Sequence, residues 1–152
     1  MKVKFEGGRQ LEAAFRELDI TQARKKGIAR RALDRAAEPI HDDWAAHVDK
    51  QSGDMKKSIK IGSRKATKAN RKFARGAGKD IVERFVGIDL TVNDRLAVYA
   101  PIEELGSEKQ PANPAGRAAF ESKKNVALDR LGDDLWEEIE KVAKRVNRKV
   151  GA

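Results

Sequence analysis

Apolar residues are distributed in two ways along this chain: at helical spacing near both ends, and in short alternating runs between them. Leu11, Ala14, Phe15 and Leu18 recur every three or four residues, which predicts one short amphipathic helix over 10–18. Gly7-Gly8 separates it from a start in which Val3 and Phe5 alternate with charged residues. Asp19 or Thr21 can then cap a much longer helix, along which Ala29, Leu33, Ala36, Ile40, Trp44 and Val48 form the stripe. From Thr21 to Val48 it would measure about 42 Å if straight. Pro39 removes an N–H and crowds the carbonyl of Arg35, but the stripe continues past it, so a bend is expected rather than a stop.

Ser52-Gly53-Asp54 is turn chemistry, after which Ile59 and Ile61 alternate with Lys60 and Gly62 as in a half-buried strand. A second strand is expected over 81–88, with Val82, Val86 and Ile88 on one face, and a third over 96–100. Gly106 to Pro114 is irregular, and then Phe120, Leu128, Leu131, Leu135, Ile139, Val142 and Val146 mark a last long helix. Gly132 weakens that helix by about 1 kcal/mol relative to Ala and leaves room for a break. Strands and helices do not alternate. The expected fold is therefore one α+β domain over 1–152: a small antiparallel sheet packed against two long helices, plus a short N-terminal helix.

Composition narrows the chemistry. The 152 residues are 39% hydrophobic and only 5% aromatic, which suits one domain with an aliphatic core. Lys and Arg outnumber Asp and Glu by 33 to 24, a net charge of +9 that favours acidic partners. With no cysteine there are no disulfides, thiolate nucleophiles, Fe–S clusters or Cys-based zinc sites. No stretch approaches the roughly 20 apolar residues of a membrane span, and residues 1–6 lack an apolar signal core, so a soluble cytosolic or particle-associated protein is expected.

Between the first two strands, Arg64, Lys65, Lys68, Arg71, Lys72, Arg75 and Lys79 occur with no acidic residue and with Gly76-Ala77-Gly78 among them. Such a segment lacks the apolar residues to fix itself and reads as an extended basic arm. Closely spaced cations suit sequence-independent contact with phosphates, and a solubilising loop is the plainer alternative. Phe73 is its one aromatic, too few for a stacking platform on single strands.

The remaining candidates for site chemistry fail on spacing. His41 and His47 lie about 240° apart on a helix, so no metal site is expected among His41, Asp42, Asp43 and His47. A phosphate-binding loop at Gly78-Lys79 lacks the upstream Gly, where Phe73 stands, and the following Ser or Thr, where Asp80 stands. The Gly7-Gly8-Arg9 run is more simply a hinge. Carboxylate pairs at Glu103-Glu104 and Asp133-Asp134 leave a hydrolase as a weak third reading, and no cofactor is expected.

Three landmarks, in order, resemble the small neck or tail-completion proteins of long-tailed phages. Ser52-Gly53-Asp54-Met55-Lys56-Lys57-Ser58-Ile59 is similar to that family's Thr-Gly-x-Leu-x-x-Ser-Ile turn and strand. Tyr99-Ala100 followed by Glu104-Leu105-Gly106-Ser107 is similar to its Tyr-Ala and Glu-Phe-Gly-Thr, and Pro111-Ala112-Asn113-Pro114 before Arg117-Ala118-Ala119 to its Pro-rich entry into the last helix. Ala36-Ala37-Glu38-Pro39-Ile40 in the preceding long helix also fits. The resemblance spans about residues 4–146, with departures at Ser52 for Thr, Leu105 for an aromatic and Ala115 for Phe, and with a longer, more basic arm.

What the resemblance implies is a non-enzymatic virion protein of the head-tail junction, assembled in the host bacterial cytoplasm as a homo-oligomeric ring around the DNA passage. Its partners would be neighbouring neck and tail proteins and, non-specifically, double-stranded DNA facing the arm, with no membrane. Tyr99, Glu104, Leu105, Gly106, Ser107 and Pro114 would lie at subunit contacts. From charge alone, the alternative is a basic nucleic-acid-binding module unrelated to phage.

Overall fold

The structure, a computed structural model, describes residues 8–17, 21–48, 53–63 and 81–150. The short helix is α1 (Gly8–Glu17), and the first long stripe folds as α2 (Gln22–His47), which continues through Pro39. The last stripe is one unbroken helix of 36 residues, Ala115–Val150. The break allowed at Gly132 does not occur: a Cβ there would have no neighbour within 4 Å, so nothing forces the backbone aside. The strand-like start at Val3 and Phe5, the side chains of Leu11, Leu18 and Val146, Ser52, and the whole arm from Arg64 to Lys79 lie outside the described residues.

α2 and the last helix run antiparallel, since Arg31 meets Glu138, Glu38 meets Arg130 and Asp43 meets Ser122. Small residues in the seam, Ala32, Ala36 and Ala119, are almost fully buried and let the two backbones approach. Towards the α2 N-terminus, Ile28, Ala32 and Leu135 form an apolar cluster joined by Phe15, Leu131 and Val142. Phe120, expected on the buried stripe, is instead 51% exposed.

After α2, Gly53 adopts φ +67°, a left-handed conformation that costs glycine no Cβ clash, and turns the chain into the single turn of α3 (Asp54–Ser58). β1 (Ile59–Gly62) follows and pairs antiparallel with β2 (Phe85–Ile88), with Ile59 opposite Ile88 and Ile61 opposite Val86. The second strand is thus shorter than the expected 81–88. Ile81 is exposed, and Arg84 leaves the ladder to bind Asp34 of α2 and the Ser63 hydroxyl. Alternate residues Ile59, Val86 and Ile88 face the helices, where they join Val48, Met55, Leu96, Ala100 and Trp44 in the second core cluster.

The third strand expected over 96–100 is not a strand. Those residues begin α4 (Leu96–Leu105), which leads through a loop to the last helix, α5 (Ala115–Val150). Leu96 and Ala100 are both buried while Val98 between them is exposed, which a helix produces and strand alternation, with all three on one face, does not. The finding is an α+β fold with five helices and one two-stranded antiparallel sheet among the described residues.

Candidate interaction surface

The segment from α4 to the start of α5 is tied down by hydrogen bonds and buried anchors and shows apolar side chains to solvent. Leu96 and Ala100 anchor one face, while Val98, Tyr99 and Leu105 are 63, 57 and 70% exposed. Val98 and Leu105, two turns apart, share a stripe, and Tyr99 stands beside it. Gly106 ends the helix at φ +78°, where a Cβ would come within 2.9 Å of the Ala112 backbone nitrogen. The loop closes through paired bonds between Ser107 and Gln110, and Asn113 N–H donates to the Glu103 carbonyl at 2.7 Å.

Glu104 accepts a 2.5 Å hydrogen bond from the Gly116 backbone N–H, placing a carboxylate at the N-terminus of α5 where the helix dipole favours it. Pro114 supplies the carbonyl for Ala118 N–H as that helix begins. Of the six residues expected at subunit contacts, Tyr99, Leu105 and Ser107 are exposed. Glu104, Gly106 and Pro114 are half-buried and shape the segment that presents them.

Glu104 and Trp44 both border Gly116. A Cβ on Gly116 would lie 2.6 Å from Glu104 Oε1 and 2.7 Å from the Trp44 ring, so only glycine lets α5 start this close to α2. The residues are about 70 positions apart in sequence, and no local pattern marks the approach.

A second feature missed by sequence reasoning is an ionic clasp between the long helices. Arg35 lies 3.2 Å from the Asp134 carboxylate, Arg31 donates to Glu138 at 2.7 Å, and Arg130 bridges Glu38 and Asp134. Burial pushes the Glu138 carboxyl up, but hydrogen bonds and charge from Arg31 and Lys141 outweigh it and hold it below the ordinary range. Lys141 is pushed up in turn, mainly by its hydrogen bond to Glu137. The Asp133-Asp134 pair is therefore divided between a solvent-facing carboxylate and a buried one engaged by arginine.

The histidines are engaged structurally. His41 Nε2 donates to the Ile59 carbonyl at 3.1 Å, and His47 Nδ1 to the Asp43 carbonyl at 2.8 Å. Among the described residues, no group of three or more His, Asp or Glu gathers as metal ligands, and no helix is long and apolar enough to cross a membrane. Near β2, the Asp89 carboxylate is held well below its usual range by the Thr91 hydroxyl, then by the Thr91 backbone N–H and Lys60.

An apolar groove of about 750 Å³ runs over α2, walled by α5 and by the start of β2; Leu33, Ile40, Trp44, Val86, Phe120 and Leu128 line it. Comparison with protein-family models, with curated proteins and with solved structures gave no match to this chain.

Proposed function

We propose that this chain is a structural subunit of the head-tail junction of a phage or phage-like particle, forming a homo-oligomeric ring that joins neck and tail components. The observation that carries the reading is the position of the exposed apolar face. Val98, Tyr99 and Leu105 project from the segment whose Tyr-Ala and Glu-Leu-Gly-Ser landmarks resemble the neck proteins, and the Gly106 turn and Glu104 cap fix how they are presented. Fixed apolar side chains clustered on one surface are what a recurring protein contact requires.

The arm carries seven of the nine net positive charges, leaving +2 for the other 136 residues. Its cations face the DNA passage in this reading, giving a sequence-independent hold on the duplex. A complementation assay tests the contact surface. Leu105→Asp and Val98→Asp should leave the melting temperature within about 2 °C of wild type, since both sites are exposed, while heads and tails accumulate unjoined. Normal yields of tailed particles from both variants would refute the proposal.

A further inference from the structure

The side of α5 turned away from α2 carries an aromatic residue among carboxylates. Val126, Asp129, Asp133, Trp136 and Glu140 follow one another at spacings of three or four, so they share one side of the helix, and all five are exposed. Asp134, Leu135 and Glu138, on the opposite side, are buried where α2 lies. The Trp136 side chain is 45% exposed, with Asp133 one turn before it and Glu140 one turn after it. An indole between two carboxylates suits a guanidinium, which stacks on the aromatic face and pairs with the acids. Glu140 shares its charge with Lys144 at 3.7 Å, which leaves Asp133 as the main acidic partner.

α2 offers such a group on the far side of the helix pair. Ala23, Gly27 and Arg30 lie on one side of α2, away from the buried Ile28 and Ala32, and Ala23 and Arg30 are exposed. Between Thr21 and Asp34 this helix carries five cations and no acid, near the end whose dipole disfavours cations, so an acidic partner there is favoured. The levels match as well. Arg31 donates to Glu138, so Arg30 stands about 3–8 Å along the helix axis from Trp136, Glu140 and Asp133, a distance an arginine side chain spans.

We propose that Arg30 of one copy docks on Trp136 and Asp133 of the next, joining copies side by side through the outer faces of α2 and α5. This contact rests on the ring-forming reading above and assigns the surfaces that would build the ring. The two patches are different and lie on opposite sides of one helix pair, so each copy presents one to either neighbour. Such a heterologous contact closes into a ring when the rotation between copies allows, whereas a two-fold dimer would need one patch to match itself. Ala23 and Gly27 beside Arg30 put no bulk in the way of the indole.

Charge reversal tests the pairing. In sedimentation velocity at low salt, wild type should self-associate, and Arg30→Glu and Asp133→Lys should each weaken that association at least about tenfold. Trp136→Ala should do the same, as loss of an interfacial aromatic does. Arg30 and Asp133 are exposed, so both reversals should keep the circular dichroism and melting temperature of wild type. An equimolar mixture of the two reversals should recover association, because every contact then joins opposite charges, native at one interface and exchanged at the next. The double variant should recover it too. Association equal in wild type and both reversals would overturn this contact and leave the ring reading standing, whereas a wild type that stays monomeric at low salt and high concentration would overturn both. Loss with Asp133→Lys but not with Arg30→Glu would assign the α5 face to another cationic segment and overturn the proposal, and so would reversals that fail to rescue each other.

Discussion

Alanine at two glycines of the same helix should change stability in opposite directions. Gly132 lies in the interior of α5 with open space around its missing Cβ, so Gly132→Ala gains helix propensity without a clash. The expected gain is about 0.5–1 kcal/mol. Gly116 stands in the first turn, where the propensity gain is smaller and a methyl group would lie 2.6 Å from Glu104 Oε1 and 2.7 Å from the Trp44 ring. The indole is hemmed in by the second core cluster, so overpacking should cost about 1–3 kcal/mol. Displacing Glu104 from the Gly116 N–H should add about 1 kcal/mol, as for a lost helix cap. For a domain of this size 1 kcal/mol corresponds to about 2–4 °C in melting temperature. Calorimetry should therefore show Gly132→Ala melting about 1–4 °C above wild type and Gly116→Ala about 4–16 °C below it. A Glu104→Ala change in the Gly116→Ala background should restore part of the loss by giving the methyl group room. If the two alanine variants melt alike, the close approach of α5 to α2 at Trp44 is wrong.

Trp44→Ala should cost about 3 kcal/mol, at the low end for an aromatic because the ring is only partly buried, while exposed Lys56→Ala should stay within about 0.5 kcal/mol in the same denaturant titration. Glu138 has a lowered carboxyl pKa in the folded chain, so its contribution is fully present above the unfolded value near about 4.3 and is lost as pH falls through the folded one. Glu138→Gln should therefore destabilise at neutral pH and flatten the acid limb of a plot of melting temperature against pH; an unchanged limb would exclude the clasp as a source of acid sensitivity. Replacing Arg71, Lys72 and Arg75 by Ala should weaken duplex binding irrespective of sequence and reduce the slope of log K against log salt by up to about 2.7, measured on assembled rings because a monomer lacks their multivalency. A triple variant that binds like wild type would assign the arm to a protein contact instead.

The antiparallel helix pair owes its stability to two kinds of contact. Aliphatic side chains fill the seam near Ile28 and Leu135, and arginines flank it with carboxylates that are themselves largely buried. Such buried pairs add little net free energy, but they are costly to break singly, which favours one register of α5 against α2 over its neighbours.

The sequence by itself determined the long helices, the two paired strands and the turns at Gly53 and Gly106, because each is written in local terms. A stripe repeating every three or four residues over more than 20 positions has no other way to bury itself, and a glycine at a turn needs only its own φ. The apolar run Leu96-Ala97-Val98-Tyr99-Ala100 was open to two readings: alternation would pair Leu96, Val98 and Ala100 on one face, whereas a helix pairs Leu96 with Ala100 and turns Val98 out. Five residues cannot separate those periods, so the choice fell to the core, which buries Leu96 and Ala100 and leaves Val98 exposed. Likewise nothing local marks Gly116 as the point where α5 meets Trp44, or Asp134 as the partner of Arg35 about 100 residues earlier. Those relations exist only once two distant helices lie side by side, and the tertiary structure alone decides which residues meet and so what face the protein presents.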